Sequence, residues 1–307
     1  MNSVLKFFLK LFFFLGSIGS LVFFVIMPQY STAYTAAMID KYDRLESLEQ
    51  PKIVIVGDSS LAFGLDSKII EERLGMPVVN FGLHAGLGQA FHSDMIRDQI
   101  KKDDIIILAP LGYYSSSARV ADPTLAWLTI ENDLSLWKNL RGPDAYIMYK
   151  SFPTYLKRCL GLWKTGDGNL PQYSAYSRAA FNQYGDVAFE RPVSIMEDDN
   201  YAGWFLPYKL SDAMKDYWND YNVYTKKRGA TLLMSCPPIL KETLADFSEL
   251  QESLNALDFP VISNFEDYIL PAEYFYDNGT HLNDAGRELR SKQLANDIQK
   301  YIDESKS

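Results

Sequence analysis

The sequence predicts an α/β protein built on a parallel, doubly wound sheet, and three observations predict it. Short apolar runs rich in β-branched residues recur along the chain, amphipathic stretches of helical period separate them, and glycines or capping residues punctuate the junctions. Apolar runs of about four residues suit strands covered on both faces. Strands that alternate with helices argue for parallel pairing.

One element precedes the sheet. Residues Leu11 to Met27 carry no charge, and Phe7, Phe8 and Leu9 lengthen the apolar stretch toward the ~20 residues that cross a bilayer. Lys6 and Lys10 lie before it, whereas Asp40, Lys41, Asp43 and Arg44 balance one another after it. Positive charge stays on the cytoplasmic side, so residues 1–27 read as a single-pass anchor with the bulk of the chain outside the cytoplasm. A cleaved signal peptide ending at Ser31-Thr32-Ala33 is the competing reading, although the apolar run exceeds a usual signal core. A buried core helix fits poorly, because the run is apolar on all sides. Residues 28–50 read as a stalk or lead-in helix, and 51–307 as one domain.

Within that domain Ile53-Val54-Ile55-Val56, closed by Gly57, is the first strand. Asp66-Ser67 caps a helix to about Leu74, with Gly75 as its stop. Pro77 to Asn80 is the second strand, and a helix from about Gly88 to Lys102 leads to the third, Ile105 to Leu108. A helix from about Ser211 to Arg228 ends at Gly229 and delivers a fourth, Thr231 to Met234, which Pro237-Pro238 terminates. A weaker fifth strand at Val261-Ile262 precedes a turn-rich loop, and a helix from Asp284 to about Asp303 follows. Between the third and fourth strands, residues 113–206 are too long for a simple crossover and dense in aromatics, Trp127, Trp137, Tyr173, Tyr176, Phe181 and Trp204 among them. They read as a cap over the carboxyl edge of the sheet, with most aromatics forming its own core.

Composition narrows the function. A chain of 307 residues with 47% hydrophobic content buries a sizeable core, and a net charge of −9 argues against a nucleic-acid partner. Cys159 and Cys236 lack the spacing of a zinc or redox motif, and the sequence does not fix whether they pair. No metal-ligand spacing occurs, so neither metal nor cofactor is expected.

Gly57-Asp58-Ser59-Ser60 directly follows the first strand, which sets Ser59 at a carboxyl edge where open α/β sheets bind ligands. The free N–H groups of a following helix start favour negative charge developing on an attacked carbonyl. The triplet alone is weakly specific; its weight comes from Asp277-Asn278-Gly279-Thr280-His281-Leu282-Asn283 near the other end of the chain. A serine nucleophile needs a base, and the base needs a carboxylate to fix its tautomer. His281 is the one of three histidines that stands in a loop beside a carboxylate; its plain alternative is a cap of the last helix.

These blocks resemble the SGNH/GDSL hydrolase superfamily. The resemblance covers residues 52–115 and 229–300 and implies a three-layer, flavodoxin-like fold, Ser59 as nucleophile, His281 as base and Asp277 as its orienting carboxylate. It also implies an oxyanion hole made by the N–H groups of Ser59 and of Gly82, in the second block Asn80-Phe81-Gly82-Leu83-His84-Ala85-Gly86. Two departures stand out. The third block, Ala109-Pro110-Leu111-Gly112-Tyr113-Tyr114, lacks the family's Asn, for which Asn182 in the cap is the candidate replacement against a plain turn around Tyr184-Gly185-Asp186. The family's Asp three residues before His is Asn278 here, so Asp277 needs a one-residue bulge to reach the imidazole.

His84 is a candidate substrate contact, His92 a packed or surface residue, and Arg178 a salt-bridge partner sooner than an anion site. The chain is similar to membrane-tethered members of the superfamily that work beside membrane-bound O-acyltransferases. That likeness implies acyl transfer to, or removal from, an extracytoplasmic glycan or other surface ester. A non-catalytic glycan-binding or scaffolding partner, and a secreted lipase, are the other readings.

Overall fold

The computed structural model describes residues 3–27, 30–49, 51–109, 117–165, 174–196, 209–243 and 248–306. Helix α1, Ser3–Leu21, continues through a wider turn at Val22–Ile26, so that 24 residues of mean hydropathy 2.2 form one helix, long and apolar enough to cross a membrane. Its side chains are exposed until Ile26 and Met27, which are buried. Helix α2 is Ala37–Ser47, followed by strand β1, Ile53–Val56, helices α3, Ser59–Gly64, and α4, Ser67–Leu74, and strand β2, Val78–Asn80. Helix α5, Gln89–Arg97, and strand β3, Ile105–Leu108, precede the insertion, which contains α6, Pro123–Ile130, and α7, Gly142–Thr165. Then come α8, Asp212–Lys227, β4, Thr231–Met234, β5, Ile239–Leu240, α9, Ser248–Leu254, β6, Ile269–Leu270, and α10, Asp284–Lys306.

The main sheet has four parallel strands in the order β2-β1-β3-β4. Its register sets Ile53 beside Val78 and Ile105, and Ile105 beside Thr231. Because side chains alternate along a strand, Ile53, Ile55, Ile105 and Ile107 face one side, against Ile70 of α4 and Leu294, Ala295 and Ile298 of α10. Val54, Val56, Ile106 and Leu108 face the other, against Met38 and Tyr42 of α2, Phe91 and Met95 of α5 and Trp218 of α8. Covering both faces explains why the strands read as unbroken apolar runs.

The weak fifth strand is a single parallel bridge, Val261 with Met234, with Ile262 N–H donating to the Met234 carbonyl at 2.8 Å. Strands β5 and β6 form a separate two-residue parallel pair that no run of the sequence announces. The second predicted helix is shorter than expected: α5 stops at Arg97, and the chain closes into a turn there, with Gln99 N–H donating to the Ile96 carbonyl at 2.9 Å. Cys159 and Cys236 are both buried and unpaired.

Of the two readings of 28–50, the lead-in helix is present as α2, Ala37–Ser47, and the free stalk is not. Tyr30, Tyr34, Met38, Tyr42 and Leu45 are buried, so this stretch belongs to the core of the domain. Its polar, amphipathic pattern describes a helix that lays its apolar side on α5 and β2, not a free connection.

Candidate active site

At the end of β1 the chain turns at Gly57, where a Cβ would stand 2.8 Å from the Ala109 carbonyl oxygen, so only glycine fits this crossing of two strand ends. Asp58 caps α3, its carboxylate accepting the Ser60 N–H at 3.0 Å. Ser59 is thereby fixed as the first residue of a helix at the carboxyl edge. Its Oγ is half-buried, and its N–H has no acceptor among the described residues.

The loop before α10 brings the base to it. Phe275 and Leu282 pair as an antiparallel bridge, and Tyr276 N–H donates to the His281 carbonyl at 2.8 Å. Asn278 Oδ1 accepts from Thr280 N–H, Thr280 Oγ1 and His281 N–H at 2.9, 2.7 and 3.2 Å. Asn283 closes the loop from below, accepting the Gly286 N–H at 3.0 Å and donating to the Glu273 carbonyl at 2.6 Å. His281, only 6% exposed, then lies with Nε2 2.9 Å from Ser59 Oγ and Nδ1 2.9 Å from Asp277 Oδ1.

The proton positions follow from the partners. Three donors hold Asn278 Oδ1, so its amide nitrogen is the group that faces Asp277 Oδ1 at 3.0 Å, and its 2.9 Å approach to His281 Nδ1 sets two nitrogens side by side. Tyr176 donates its hydroxyl proton to Asp277 Oδ2 and also lies 3.1 Å from His281 Nδ1. Nδ1 therefore carries the proton and donates it to Asp277, which leaves Nε2 free to accept from Ser59. Burial by itself would raise the Asp277 carboxyl, but the hydrogen bonds and charge of His281 and the Tyr176 hydroxyl hold it below its usual range. An ionised carboxylate is the state that fixes this tautomer.

Aromatic rings hold the imidazole in plane. Phe63 of α3 stacks on His281 with centroids 4.1 Å apart and planes 8° apart, and Tyr176 lies 5.3 Å from Phe63. The buried Arg191 guanidinium donates to the carbonyls of Phe63, Val187, Phe189 and Leu282, joining α3 to the histidine loop. Burial, with Arg287 nearby, lowers its pKa to about 10, still far above neutrality. Neither Phe63, Tyr176 nor Arg191 belongs to a sequence motif; Phe63 reaches the site from α3 itself, whereas Tyr176 and Arg191 reach it because the insertion docks there.

A cavity of about 290 Å³ opens in front of Ser59 and His281, lined also by Tyr30, Tyr34, His84, Leu128, Arg158 and Tyr176. Its walls come from the residues after α1, from the second block and from the insertion. His84 accordingly lines the site. Its Nδ1 accepts the Gly86 N–H at 3.0 Å, so the neutral ring carries its proton on Nε2. Partial burial lowers its pKa, which favours that neutral donor form, against the opposing pull of Asp58 and Asp122.

Two expected oxyanion donors are corrected. Asn182 spends its side chain inside its own turn, accepting from Tyr184 N–H and Asp186 N–H at 2.9 and 3.0 Å and donating to Asp186 Oδ2 at 3.3 Å. Asp186 in turn is buried and accepts from Ser67 and from Asn80 Nδ2, which ties the insertion to α4 and β2. Gly82 lies against α3 so closely that a Cβ would stand 2.4 Å from Leu61 Cβ, but its N–H donates to Asn80 Oδ1 at 2.9 Å. That donor already has an acceptor. Pro110 to Tyr114 of the third block, and Tyr173 and Trp204 of the insertion, lie outside the described residues.

Arg178 forks onto Asp40 at 2.6 and 2.7 Å, a structural ion pair that clips the insertion to α2. His92 is fully buried with Nδ1 donating to the Gly88 carbonyl at 2.8 Å, so it is a packed residue. Among the described residues no cluster of His, Cys, Asp and Glu is arranged to hold a metal ion. Ser59, His281 and Asp277 thus form a hydrogen-bonded array, with Ser59 and His281 facing an open cavity, while no family model matches the chain and a search of curated proteins finds no relative.

Proposed function

We infer that this chain is a membrane-anchored serine acyl ester hydrolase or O-acyltransferase of the SGNH/GDSL type, acting on an acylated glycan or another extracytoplasmic surface ester. One observation carries the reading: Ser59 Oγ stands 2.9 Å from His281 Nε2, and His281 Nδ1 stands 2.9 Å from Asp277 Oδ1, the spacing at which Nε2 can take the serine proton while an ionised Asp277 holds Nδ1–H.

The chemistry runs in two steps. His281 Nε2 takes the proton of Ser59 Oγ as the oxygen attacks the ester carbonyl, and Asp277 stabilises the imidazolium. The oxyanion meets the unused N–H of Ser59 at the start of α3, with His84 Nε2–H as the second donor in the place expected of Gly82 or Asn182. The imidazolium then gives its proton to the departing alcohol, leaving an acyl-Ser59. Water or a sugar hydroxyl, deprotonated by His281, attacks this ester and releases Ser59. Tyr30, Tyr34 and Tyr176 line the cavity and offer ring surface to a sugar.

A scaffolding or glycan-binding role is the second reading, favoured by the engagement of Gly82 N–H with Asn80. Fluorophosphonate labelling of the detergent-solubilised full chain, with peptide mapping, separates the two. The enzyme reading expects label on Ser59 that disappears in Ser59→Ala and His281→Ala, with loss of turnover of an activated acetyl ester. Absence of label from a folded chain leaves the scaffolding role.

A further inference from the structure

The insertion carries a surface that the active site does not use. Helix α7 holds Lys150, Lys157, Arg158 and Lys164, and its single acidic residue, Asp144, is buried, in a chain whose net charge is −9. Lys150, Lys157 and Lys164 recur every seven residues, two helical turns, and form one exposed crest. Beside that crest lies an aromatic flank in which Tyr149 is 70% and Trp163 49% exposed. The two rings lie 14 residues apart, about four helical turns, on the same side of α7, and each has a lysine as its chain neighbour, Lys150 and Lys164, which marks an amphipathic face.

The position of this face follows from α1. At 1.5 Å per residue the 24 residues Ser3–Ile26 span about 36 Å, more than the ~30 Å hydrocarbon core of a bilayer. If α1 crosses, its last turn stands among the headgroups. That turn touches α7: the rings of Phe23 and Phe152 stack with centroids 6.3 Å apart, and the Tyr155 hydroxyl, which donates to Glu131, lies 3.2 Å from the Met27 carbonyl. Between them opens a cavity of about 430 Å³ lined by Phe23, Trp127, Leu134, Trp137, Tyr149 and Phe152. Helix α7 is therefore held at headgroup depth, where tryptophan and tyrosine gather and lysines meet phosphates.

We propose that the exposed face of α7 is a second membrane contact, which lies on an anionic bilayer surface with Tyr149 and Trp163 in the interface and Lys150, Lys157 and Lys164 on the headgroup phosphates. This rests on α1 being an anchor. Charge complementarity and continuity with α1 select a lipid surface as the occupant. Since Arg158 lines the catalytic cavity, the contact also sets the height and tilt of its mouth relative to the bilayer.

The test uses the full chain in nanodiscs of neutral lipid, or of neutral lipid mixed with phosphatidylglycerol, with acyl chains brominated near the headgroup. The emission belonging to Trp163 is the difference between the wild type and Trp163→Phe. The expected result is severalfold quenching of that emission in anionic discs, less in neutral discs, and its loss in the triple variant Lys150→Glu, Lys157→Glu, Lys164→Glu, whose unchanged fluorophosphonate labelling at Ser59 shows it folded. Unquenched Trp163 in a chain that still co-elutes with anionic discs overturns the proposal and leaves α7 to a protein partner. Equal quenching in the triple variant overturns the electrostatic part. A chain that elutes apart from the discs overturns the anchor itself, and the α7 contact with it.

Discussion

The ring of Phe63 lies flat on that of His281, 4.1 Å away and within 8° of parallel, although 218 residues separate them in sequence. Phe63 and Ser59 sit one turn apart on the same short helix, so one element carries both Ser59 and the ring on which its hydrogen-bond partner His281 rests; on the proposed function that ring is a platform for the base. Phe63→Leu keeps the apolar volume and loses the flat face. It should lower kcat by about ten- to a hundredfold while the melting temperature moves little, because a small misplacement of a reacting group costs that much. Paired kinetic and melting measurements check this; an unchanged kcat removes the platform role.

Asp277 and Tyr176 should separate by magnitude. Asp277→Asn presents an amide to Nδ1 and favours the tautomer with its proton on Nε2, so kcat should fall by about 10³–10⁴-fold. Tyr176→Phe removes one donor to Asp277 Oδ2 and leaves the relay intact, so a loss of about tenfold or less is expected, near the ~1 kcal/mol of one hydrogen bond. Steady-state kinetics with an activated ester measures both. Equal losses would mean that the Tyr176 hydroxyl is as necessary to the position of His281 as Asp277 is.

The segment after α1 should be indispensable to the fold. Ile26, Met27 and Tyr30 are buried, Tyr30 N–H donates to Glu131 Oε1 at 2.8 Å, and Arg178 N–H donates to the Thr32 carbonyl at 3.0 Å. Burial of two or three such side chains contributes about 5 kcal/mol, comparable with the whole stability of an ordinary domain. A chain beginning at Tyr34, as cleavage after Ala33 would leave, should melt at least 10 °C lower, by roughly the conversion for a chain this size, and lose labelling at Ser59. A cooperative unfolding transition at the wild-type temperature would restore the cleaved-signal reading.

Asp94 gives a pH prediction. Neither of its carboxylate oxygens accepts a hydrogen bond among the described residues, and the nearest cation, Arg97 Nη1, is 3.7 Å away. Burial, only partly offset by Arg97, raises its pKa to about 6. Below the unfolded carboxyl value near 4 both states are protonated and the group is neutral to stability. Between about 4 and 6 the folded state binds more protons than the unfolded, so this group costs progressively more as pH rises, up to about 3 kcal/mol above pH 6. Asp94→Asn should therefore raise the denaturation midpoint at pH 8 and lose that advantage toward pH 4. Urea titrations at both values test it, and a pH-independent difference would assign the effect to packing.

What the sequence makes legible depends on how local each determinant is. The Gly-Asp-Ser turn and the histidine loop are local devices, each a strand end or helix start with its own cap, and both lie where a linear reading sets them. The extra residue between Asp277 and His281 is absorbed because Asn278 turns its oxygen onto Thr280 and His281 N–H, which is a side-chain event no spacing rule contains. Asn182 fails as an oxyanion donor for the same reason: Asn competes for nearby backbone groups, and here it builds a turn. The placement of Tyr176, Arg191 and the residues after α1 depends on docking between distant segments. An amphipathic pattern announces a covered face but not what covers it.

Met27 and Tyr30, both buried just after α1, give the cavity in front of Ser59 almost no leash. A head on a flexible connection of n residues roams a distance that grows as about the square root of n, and it meets a partner in any orientation. A head gripped at the root of its tether keeps one height and one facing. With α1 in a bilayer, encounters with any molecule in the same sheet of lipid become a search in a plane, in which local density matters more than bulk concentration.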